Sequence, residues 1–429
     1  MAKISAVYAR EILDSRGNPT IETTIWSDDG HGAVASIPSG ASTGKFEVME
    51  LRDKDPARFN GKGVLKAISN VNQIISKVII GRDPTHQNKI DQDLINLDGT
   101  SDKSKLGANA ILSVSQAVCE LGALVCGMQT FEYLTAKYKL ASPTAFTLPT
   151  PIFNVINGGK HGAGNLNFQE FHIIPSSKLA FSRSLEIGEE IYQELKDLLI
   201  EKKAISSVGD EGGFAPNLYS NQDALELMLE AVHRRQLVLN QDVFLGLDVA
   251  ADSFYSGGKY NITDRQDSYS ADEFIGYFEK LKQNYTIFSL EDPLEQESWS
   301  DWVKLTQKIG RDTIIVGDDL LVTNKKRLQK AISLKACNAI LIKPNQIGTI
   351  SETVSVVKLA KQAGFTTIAS HRSGDTNEDF IADFAVGVGT DFAKFGAPVR
   401  GERVVKYNRL SFIESYLKAR QNINVPKFK

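Results

Sequence analysis

Phe244-Leu-Gly-Leu-Asp248 is the first of six short apolar runs in the second half of the sequence, each of which ends in a polar side chain. The other five occupy residues 287–291, 314–318, 340–343, 367–371 and 391–394. Amphipathic segments separate the later runs, whose ends recur about every 25 residues, the length of one strand, one helix and two loops. This repetition predicts parallel βα units closed into a (β/α)8-type barrel.

Residues at the carboxyl ends of barrel strands meet at one mouth, where the active sites of this architecture lie. The side chains that end the six runs are three carboxylates, two lysines and one histidine, namely Asp248, Glu291, Asp318, Lys343, Lys394 and His371. The sequence therefore predicts one charged site built from residues that lie far apart in the chain.

The first third of the chain has a different pattern. Two alternating runs, residues 21–25 and 33–37, flank a turn rich in Gly and Asp and predict an antiparallel meander. Apolar spacing of three and four predicts helices over residues 64–80, 88–97 and 108–128. Strands followed by helices indicate an α+β domain.

A proline-rich run over residues 141–151 places the domain boundary near residue 141. We therefore expect an N-terminal α+β capping domain with a lid loop over residues 1–140, followed by an α/β barrel catalytic domain over residues 141–429.

Composition excludes several classes of protein. The 49 basic and 52 acidic residues give a formal net charge of −3, and no basic block is long enough for nucleic-acid binding. The three cysteines lack C-x-x-C spacing and the amino terminus lacks a signal-peptide stretch, so a cytoplasmic protein is expected. Residues 108–128 approach a membrane span in length, but Glu120 interrupts them, and we expect a buried helix and no membrane span.

Asp248, Glu291 and Asp318 would form an oxygen-rich cluster that requires a cation, and Mg²⁺ suits hard carboxylate ligands. The alternative is a network of ion pairs with neighbouring lysines. Two of these acids belong to doublets with Asp292 and Asp319. Because successive strand residues point to opposite faces, one acid of each doublet faces inward, and we predict Glu291 and Asp318, which directly follow the apolar runs.

Lys343 is the candidate base. A partly desolvated lysine beside a second cation, here Lys394, is expected to have a pKa lowered toward neutrality. Glu211 lies on the glycine-rich loop 208–216, where its carboxyl could donate a proton. The alternatives are a surface lysine for Lys394 and an ordinary turn acid for Glu211.

Two further glycine-rich stretches, residues 40–46 and 158–164, are not nucleotide loops. The first lacks the spacing and the hydroxyl of a phosphate-binding P-loop, and the second lacks the G-x-G-x-x-G register. We expect both to be loops that cover the site.

Motifs along the whole chain resemble those of the enolase family. They are Ser39-Gly-Ala-Ser-Thr-Gly44, Leu106-Gly-Ala-Asn-Ala-Ile-Leu112, Asn157-Gly-Gly, Gln169-Glu-Phe171, Gly209-Asp-Glu-Gly-Gly-Phe-Ala-Pro216, Leu290-Glu-Asp-Pro293, Val316-Gly-Asp-Asp-Leu320, Lys343-Pro-Asn-Gln-Ile-Gly-Thr349 and Ser370-His-Arg-Ser-Gly374. The resemblance implies an enolase-like barrel topology and the glycolytic, reversible dehydration of 2-phospho-D-glycerate to phosphoenolpyruvate. Enolase-superfamily sites use a Lys or His base with Mg²⁺ ions.

The resemblance implies two Mg²⁺ ions in each active site. Asp248, Glu291 and Asp318 would hold the first ion, which engages the substrate carboxylate. Ser42 would ligate the second ion when the lid closes. Metal charge beside the carboxylate would stabilise the enolate that proton removal creates.

The resemblance also assigns the catalytic side chains. Lys343 would remove the proton from C2, and Glu211, supported by Glu170, would protonate the departing C3 hydroxyl, with His161 lining the site beside them. The residues that the resemblance places against the substrate, including the phosphate clamp at 372–373, are His161, Glu170, Glu291, Asp318, Lys343, His371, Arg372, Ser373 and Lys394.

The chain departs from the family pattern without losing a reacting group. The departures are Lys45, Phe46, Asp252, Ser253, Pro344, Asp375 and the tail over residues 410–429. Two alternatives remain beside the enolase reaction: another superfamily lyase acting on a different carboxylate, and a non-catalytic surface protein whose Lys429 meets lysine-binding partners. The phosphate clamp argues against the first, and the complete set of reacting groups argues against the second. The resemblance implies at least a homodimer.

Overall fold

The computed structural model describes residues 2–40, 44–140, 146–162 and 166–422. The N-terminal part opens with an antiparallel sheet of β1 (Ile4–Leu13), β2 (Pro19–Ser27) and β3 (Gly32–Ser36), in that order. The predicted meander corresponds to β2 and β3. The sequence pattern did not indicate β1, because this edge strand buries only Ile4 and Ala9 and shows no regular alternation.

Helices pack against this sheet and against one another. They are α1 (Leu65–Asn70), a π-helical turn (Val71–Ile75), α2 (Ser76–Ile79), α3 (Gln87–Asp98), α4 (Ala108–Val125) and α5 (Thr130–Tyr138). The three predicted helical segments are confirmed as α1 to α2, α3 and α4. By length and composition α4 could cross a membrane, but 83% of it is buried inside the protein, as in the core helix of a domain.

The second part is a closed barrel of eight strands surrounded by helices. In chain order its elements, with one short hairpin (β7 and β8), are β4 (Thr150–Asn157), β5 (Glu170–Pro175), α6 (Phe181–Glu201), α7 (Asn221–Arg234), β6 (Val243–Asp248), β7 (Tyr255–Ser256), β8 (Lys259–Tyr260), α8 (Ala271–Tyr285), β9 (Ile287–Glu291), α9 (Trp299–Ile309), β10 (Ile314–Gly317), α10 (Lys325–Leu334), β11 (Ala339–Ile342), α11 (Ile350–Gln362), β12 (Thr366–Ser370), α12 (Phe380–Val388), β13 (Phe392–Lys394) and α13 (Gly401–Asn422).

The strand order around the barrel is β10, β11, β12, β13, β4, β5, β6, β9. β5 pairs antiparallel with both of its neighbours, whereas every other pairing is parallel. In the described part of the connection from β4 to β5 there is a short 3₁₀ turn (Gly159–His161) and no α-helix, as suits an antiparallel pair of strands. The predicted α+β domain followed by a barrel is confirmed. The exact boundary at residue 141 stays a prediction, because it lies outside the described residues.

Apolar side chains fill the barrel below its mouth. The buried members of this layer are Ile152, Ile174, Val316, Ala339, Leu341 and Ile368. Because this layer closes the interior, the polar strand ends above it face a cavity with one open side.

Candidate active site at the barrel mouth

The predicted site residues converge at the carboxyl end of the barrel. A single cavity there is lined by His161, Gln169, Glu170, Glu211, Asp248, Ala250, Asp292, Asp318, Asp319, Lys343, Ser370, His371, Arg372, Ser373 and Lys394. Glu291 borders the same cluster through its contact with Lys394. Ser42, the predicted ligand of a second ion, lies outside the described residues.

Lys394 occupies the centre of the acidic cluster. Its Nζ lies 2.8 Å from Glu291, 3.1 Å from Glu170 and 3.4 Å from Asp248, and all four side chains are buried. This placement excludes the surface role that was the alternative for this lysine. Four carboxylates and two lysines meet here once Asp318 and Lys343 are included, so the charges of the mouth are arranged as pairs.

The expected inward acids of the two doublets are those that contact the lysines. Glu291 contacts Lys394, and Asp318 lies 2.5 Å from the Nζ of Lys343. Asp292 instead accepts the backbone N–H groups of Asp318 and Asp319, at 3.0 and 2.7 Å. Asp292 therefore shapes the turn after β10.

The pKa of Lys343 is raised. Burial and the nearby charges of Arg372 and Lys394 lower this pKa, but the neighbouring carboxylates, Asp318 foremost and then Glu291, together raise it further. The expectation of a lowered pKa is therefore wrong for this structure, because Lys343 is paired with a carboxylate and does not face cations alone. A cation that competes for Asp318 would remove this support and lower the pKa.

Glu211 and Glu170 both lie near His161. Nδ1 of His161 is 3.3 Å from Glu170 and 3.6 Å from Glu211, and all three side chains are buried. Burial and Glu170 raise the pKa of Glu211, but His161 and His371 lower it further, to about 2. Burial lowers the pKa of His161, whereas the two glutamates raise it, with a net rise. The lowered pKa values of Glu170 and Glu211 favour their ionised forms, and the raised pKa of His161 favours its protonated form.

The predicted phosphate clamp contacts a carboxylate from the N-terminal part. The guanidinium of Arg372 donates to the two carboxylate oxygens of Glu47 at 3.0 and 3.2 Å and to Asn345 Oδ1 at 2.8 Å. Backbone hydrogen bonds in both directions join Ser39 to Gly374, directly beside the clamp. The residues on both sides of the loop 40–46 are thus held against the turn that follows β12.

Several buried contacts were not expected from the sequence. Asn154 on β4 donates to Glu211 Oε2 at 3.1 Å, and His172 on β5 contacts Glu170 at 2.9 Å. Arg403, at the start of α13, donates to His371 Nδ1 at 2.7 Å. Local sequence contained no signal for these roles, since each depends on partners brought together by the fold.

Several departures from the family pattern lie in loops around the site. Asp252 accepts the backbone N–H of Gln296 at 2.9 Å, and Phe46 packs under Arg327, whose guanidinium lies 4.0 Å from the ring centre. Asp375 pairs with Lys406 at 3.0 Å. Ser253 lies in a 3₁₀ turn after β6, and Pro344 opens another after β11. These residues therefore shape loops around the mouth.

The donor set fits a hard divalent cation. Burial foremost, and then neighbouring carboxylates, raise the pKa of Asp248 and raise that of Glu291 further, although Lys394 lies beside both. Among the described residues, two groups present possible ligand atoms within 4.8 Å of one another, namely His161, Glu170 and Glu211, and Asp292, Asp318 and Asp319. Asp248 and Glu291 belong to neither group, and their oxygens face Lys394. Oxygen-rich sites of this kind suit Mg²⁺.

Comparison with protein families agrees with both parts of the fold. The enolase N-terminal domain matches residues 4–134, and the enolase C-terminal TIM barrel domain matches residues 145–428. The two matches follow one another along nearly the full sequence, in the order of the two structural parts. The chain therefore belongs to the enolase family.

Proposed function

We propose that this protein is a Mg²⁺-dependent lyase that interconverts 2-phospho-D-glycerate with phosphoenolpyruvate and water. The observation that carries the proposal is the convergence of a base, an acid and anion-binding cations in one buried mouth: Lys343, Glu211, Lys394 and Arg372. Membership of the enolase family supports the same reaction.

Lys343 is the proposed base that takes the proton from C2. It must be neutral to do so, and its pairing with Asp318 at 2.5 Å opposes the loss of its proton. The reaction therefore requires that Asp318 engage another positive charge. When bound, Mg²⁺ would be held by Asp248, Glu291 and Asp318 and would stabilise the negative charge that develops on the substrate carboxylate.

Glu211 is the proposed acid for the C3 hydroxyl. Since the raised pKa of His161 favours its protonated form and Glu211 is ionised, we propose that His161 supplies a proton to Glu211 as the hydroxyl departs. In the hydration direction, the ionised Glu211 can take a proton from the attacking water. One cluster thus serves both directions, as microscopic reversibility demands.

The remaining cations recognise the substrate anions. Arg372 with Ser373 is proposed to bind the phosphate and Lys394 the carboxylate. Because Glu47 contacts the Arg372 guanidinium with both oxygens, phosphate must share or replace that carboxylate. Ser42 is proposed to ligate the second Mg²⁺.

The test follows phosphoenolpyruvate formation by its ultraviolet absorbance, with Mg²⁺ and with chelator. We expect activity that requires Mg²⁺ and that Lys343→Ala abolishes. The matched control is Lys358→Ala, an exposed lysine on α11, which should retain full activity. Folded, Mg²⁺-loaded protein without activity would overturn the proposal. It would favour a different carboxylate substrate or the non-catalytic surface role.

We also propose a cytoplasmic homodimer. Tyr8, Trp26 and Val34 are exposed on one face of the N-terminal sheet, since Tyr8 and Val34 both pair with Thr24, two residues from Trp26. Exposed apolar patches of this kind favour association. The three cysteines are free thiols, which suits a reducing compartment. Light scattering after size-exclusion chromatography would give the subunit number.

A further inference from the structure

His172 is a buried histidine that the proposed mechanism does not use. It lies on β5, two residues after Glu170, so both side chains point into the barrel. Its Nε2 lies 2.9 Å from Glu170 Oε2, and its side chain is 2% exposed. It occupies the layer directly beneath the carboxylates of the mouth.

The barrel makes room for this imidazole. In the strand register, His172 stands opposite Gly246 of β6, which in turn stands opposite Ser289 of β9. A Cβ on Gly246 would lie 3.3 Å from the Cβ atoms of both neighbours and 3.1 Å from Ile174 Cδ1. A glycine and a small serine beside the histidine therefore leave space that a larger residue would fill.

The direction of the hydrogen bond between His172 and Glu170 follows from the charge of the Glu170 carboxylate. Burial raises the pKa of Glu170, but Lys394, His161 and His172 together hold it well below its usual value, so the carboxylate is ionised. An ionised carboxylate only accepts, and Nε2 of His172 must therefore carry the hydrogen and donate it.

The two oxygens of Glu170 have different partners. Oε2 receives His172 and, at 3.1 Å, Lys394, whereas Oε1 lies 3.3 Å from Nδ1 of His161. We propose that His172 is a positioning residue: by holding Oε2, it turns Oε1 toward His161 and keeps His161 between Glu170 and the acid Glu211. This inference rests on the proposed function, since it assigns His172 a role in delivering the proton to the C3 hydroxyl.

The test compares two variants of His172 in the full-length protein. His172→Leu removes the donor, and we expect kcat to fall about ten- to hundredfold, as for other residues that orient catalytic ligands, with little change in KM. His172→Gln places an amide Nε2–H near the same point, and most of the lost kcat should return. Thermal unfolding of both variants checks that they are folded.

Two results would overturn the proposal. One is full kcat in folded His172→Leu. The other is an equal loss of kcat in both folded variants, because the amide of His172→Gln should restore kcat if the hydrogen-bond donor is what matters.

A second readout separates this inference from the proposed function. Crystal structures of the two variants would give the distance between Glu170 Oε1 and His161 Nδ1 without any turnover. We expect it to stay near 3.3 Å in His172→Gln and to exceed hydrogen-bond reach in His172→Leu. If the wild-type protein does not act on 2-phosphoglycerate, the proposed function fails alone. An unchanged distance in His172→Leu would refute the positioning role alone.

Discussion

Arg403 is a fully buried guanidinium that joins the segments around Glu211 and His371. It donates to the carbonyls of Arg372 and Ser373 at 2.5 and 2.7 Å and to the carbonyl of Asp210 at 3.1 Å. Because a guanidinium can only donate, its contact with His371 Nδ1 requires that nitrogen to be unprotonated. The hydrogen of His371 is therefore on Nε2, which lies 3.2 Å from Glu211.

Replacing this arginine should be costly for stability. Arg403→Met keeps the apolar stem but leaves three carbonyls, two of them buried, and the buried Asp375 without this donor, and we expect a loss of about 3 to 5 kcal/mol. Urea unfolding measures the change. The control is Arg235→Met, an exposed arginine at the end of α7, which should change stability by less than about 0.5 kcal/mol. Similar midpoints for the two variants would contradict the structural role given to Arg403.

For single residues, the sequence predicts a place in the site where that place follows from the residue's position at the end of a strand. Asp248, Glu291 and Lys394 each end a strand, so the barrel pattern alone predicted that they would meet. His172 and Arg403 differ, because their partners are set by the three-dimensional arrangement. The pKa of Lys343 was mispredicted for the same reason, since its shift depends on the carboxylate beside it.

Among the elements, β5 has the most unusual placement. Because it runs against its neighbours, its first residue, Glu170, lies at the mouth, whereas the other barrel strands reach the mouth at their last residues. The pattern of apolar runs with polar ends therefore did not indicate Glu170. Only the motif Gln169-Glu-Phe171 did. The six runs from residue 244 onward were predictable because each is a short apolar strand with a clear polar end.

The surroundings of two helical glycines, one packed against the barrel and one in open space, predict opposite effects of alanine on stability. Gly188 on α6 faces Phe153 of β4, and a Cβ there would lie 2.3 Å from the aromatic ring. Gly276 on α8 has open space instead. We expect Gly188→Ala to destabilise the protein by about 1 to 3 kcal/mol through overpacking, and Gly276→Ala to stabilise it by up to about 1 kcal/mol through helix propensity. Thermal unfolding of both variants checks this, and a stabilising Gly188→Ala would refute the close packing.

The contact between the N-terminal part and the loop that precedes α12 predicts a dependence of stability on pH. Burial and Asp379 raise the pKa of Glu378 from 4.5 to about 7, although its oxygen accepts the backbone N–H of Ser36 at 3.2 Å. Below the unfolded-state value, the side chain is protonated in both states. Between pH 4.5 and about pH 7, Glu378 loses its proton in the unfolded state but keeps it in the folded state, so the free energy of unfolding falls as the pH rises. Above about pH 7 the side chain is ionised in both states and the loss is complete.

Glu378→Gln should remove this part of the pH dependence. We expect the free energy of unfolding of the variant, relative to that of wild type, to increase by about 1 to 3 kcal/mol from pH 5 to pH 8. Urea midpoints at the two pH values give the difference. Parallel changes in the two proteins would show that the carboxyl does not titrate in this range.

At the scale of the whole molecule, cation binding should raise stability. A ligand that binds only the folded state adds about 2.7 kcal/mol at a hundred times its dissociation constant. Mg²⁺ should therefore raise the unfolding temperature of wild-type protein, and Asp318→Asn should weaken that rise. Asp312→Asn, an exposed control, should keep it. An equal rise in unfolding temperature in all three proteins would show that Mg²⁺ binds at a site that does not depend on Asp318.

The sequence predicted the order of the two parts and the closed barrel, since both follow from local periodicity. It did not predict how the parts touch. The approach of Glu47 to Arg372 joins residues more than three hundred positions apart, and no local pattern encodes such a pairing.

The contact between Glu47 and Arg372 also limits which parts of the molecule could be exchanged for those of another protein. The barrel holds the strand-end side chains on its own, but the carboxylate facing Arg372 and the backbone partner of Gly374 come from the N-terminal part. A chimera that joined this barrel to a foreign N-terminal part would keep the proposed reacting groups of the barrel and lose the neighbours of the proposed phosphate clamp. Recombination between relatives would therefore retain these contacts only where the segment around residues 39–47 and the turn that follows β12 come from the same parent.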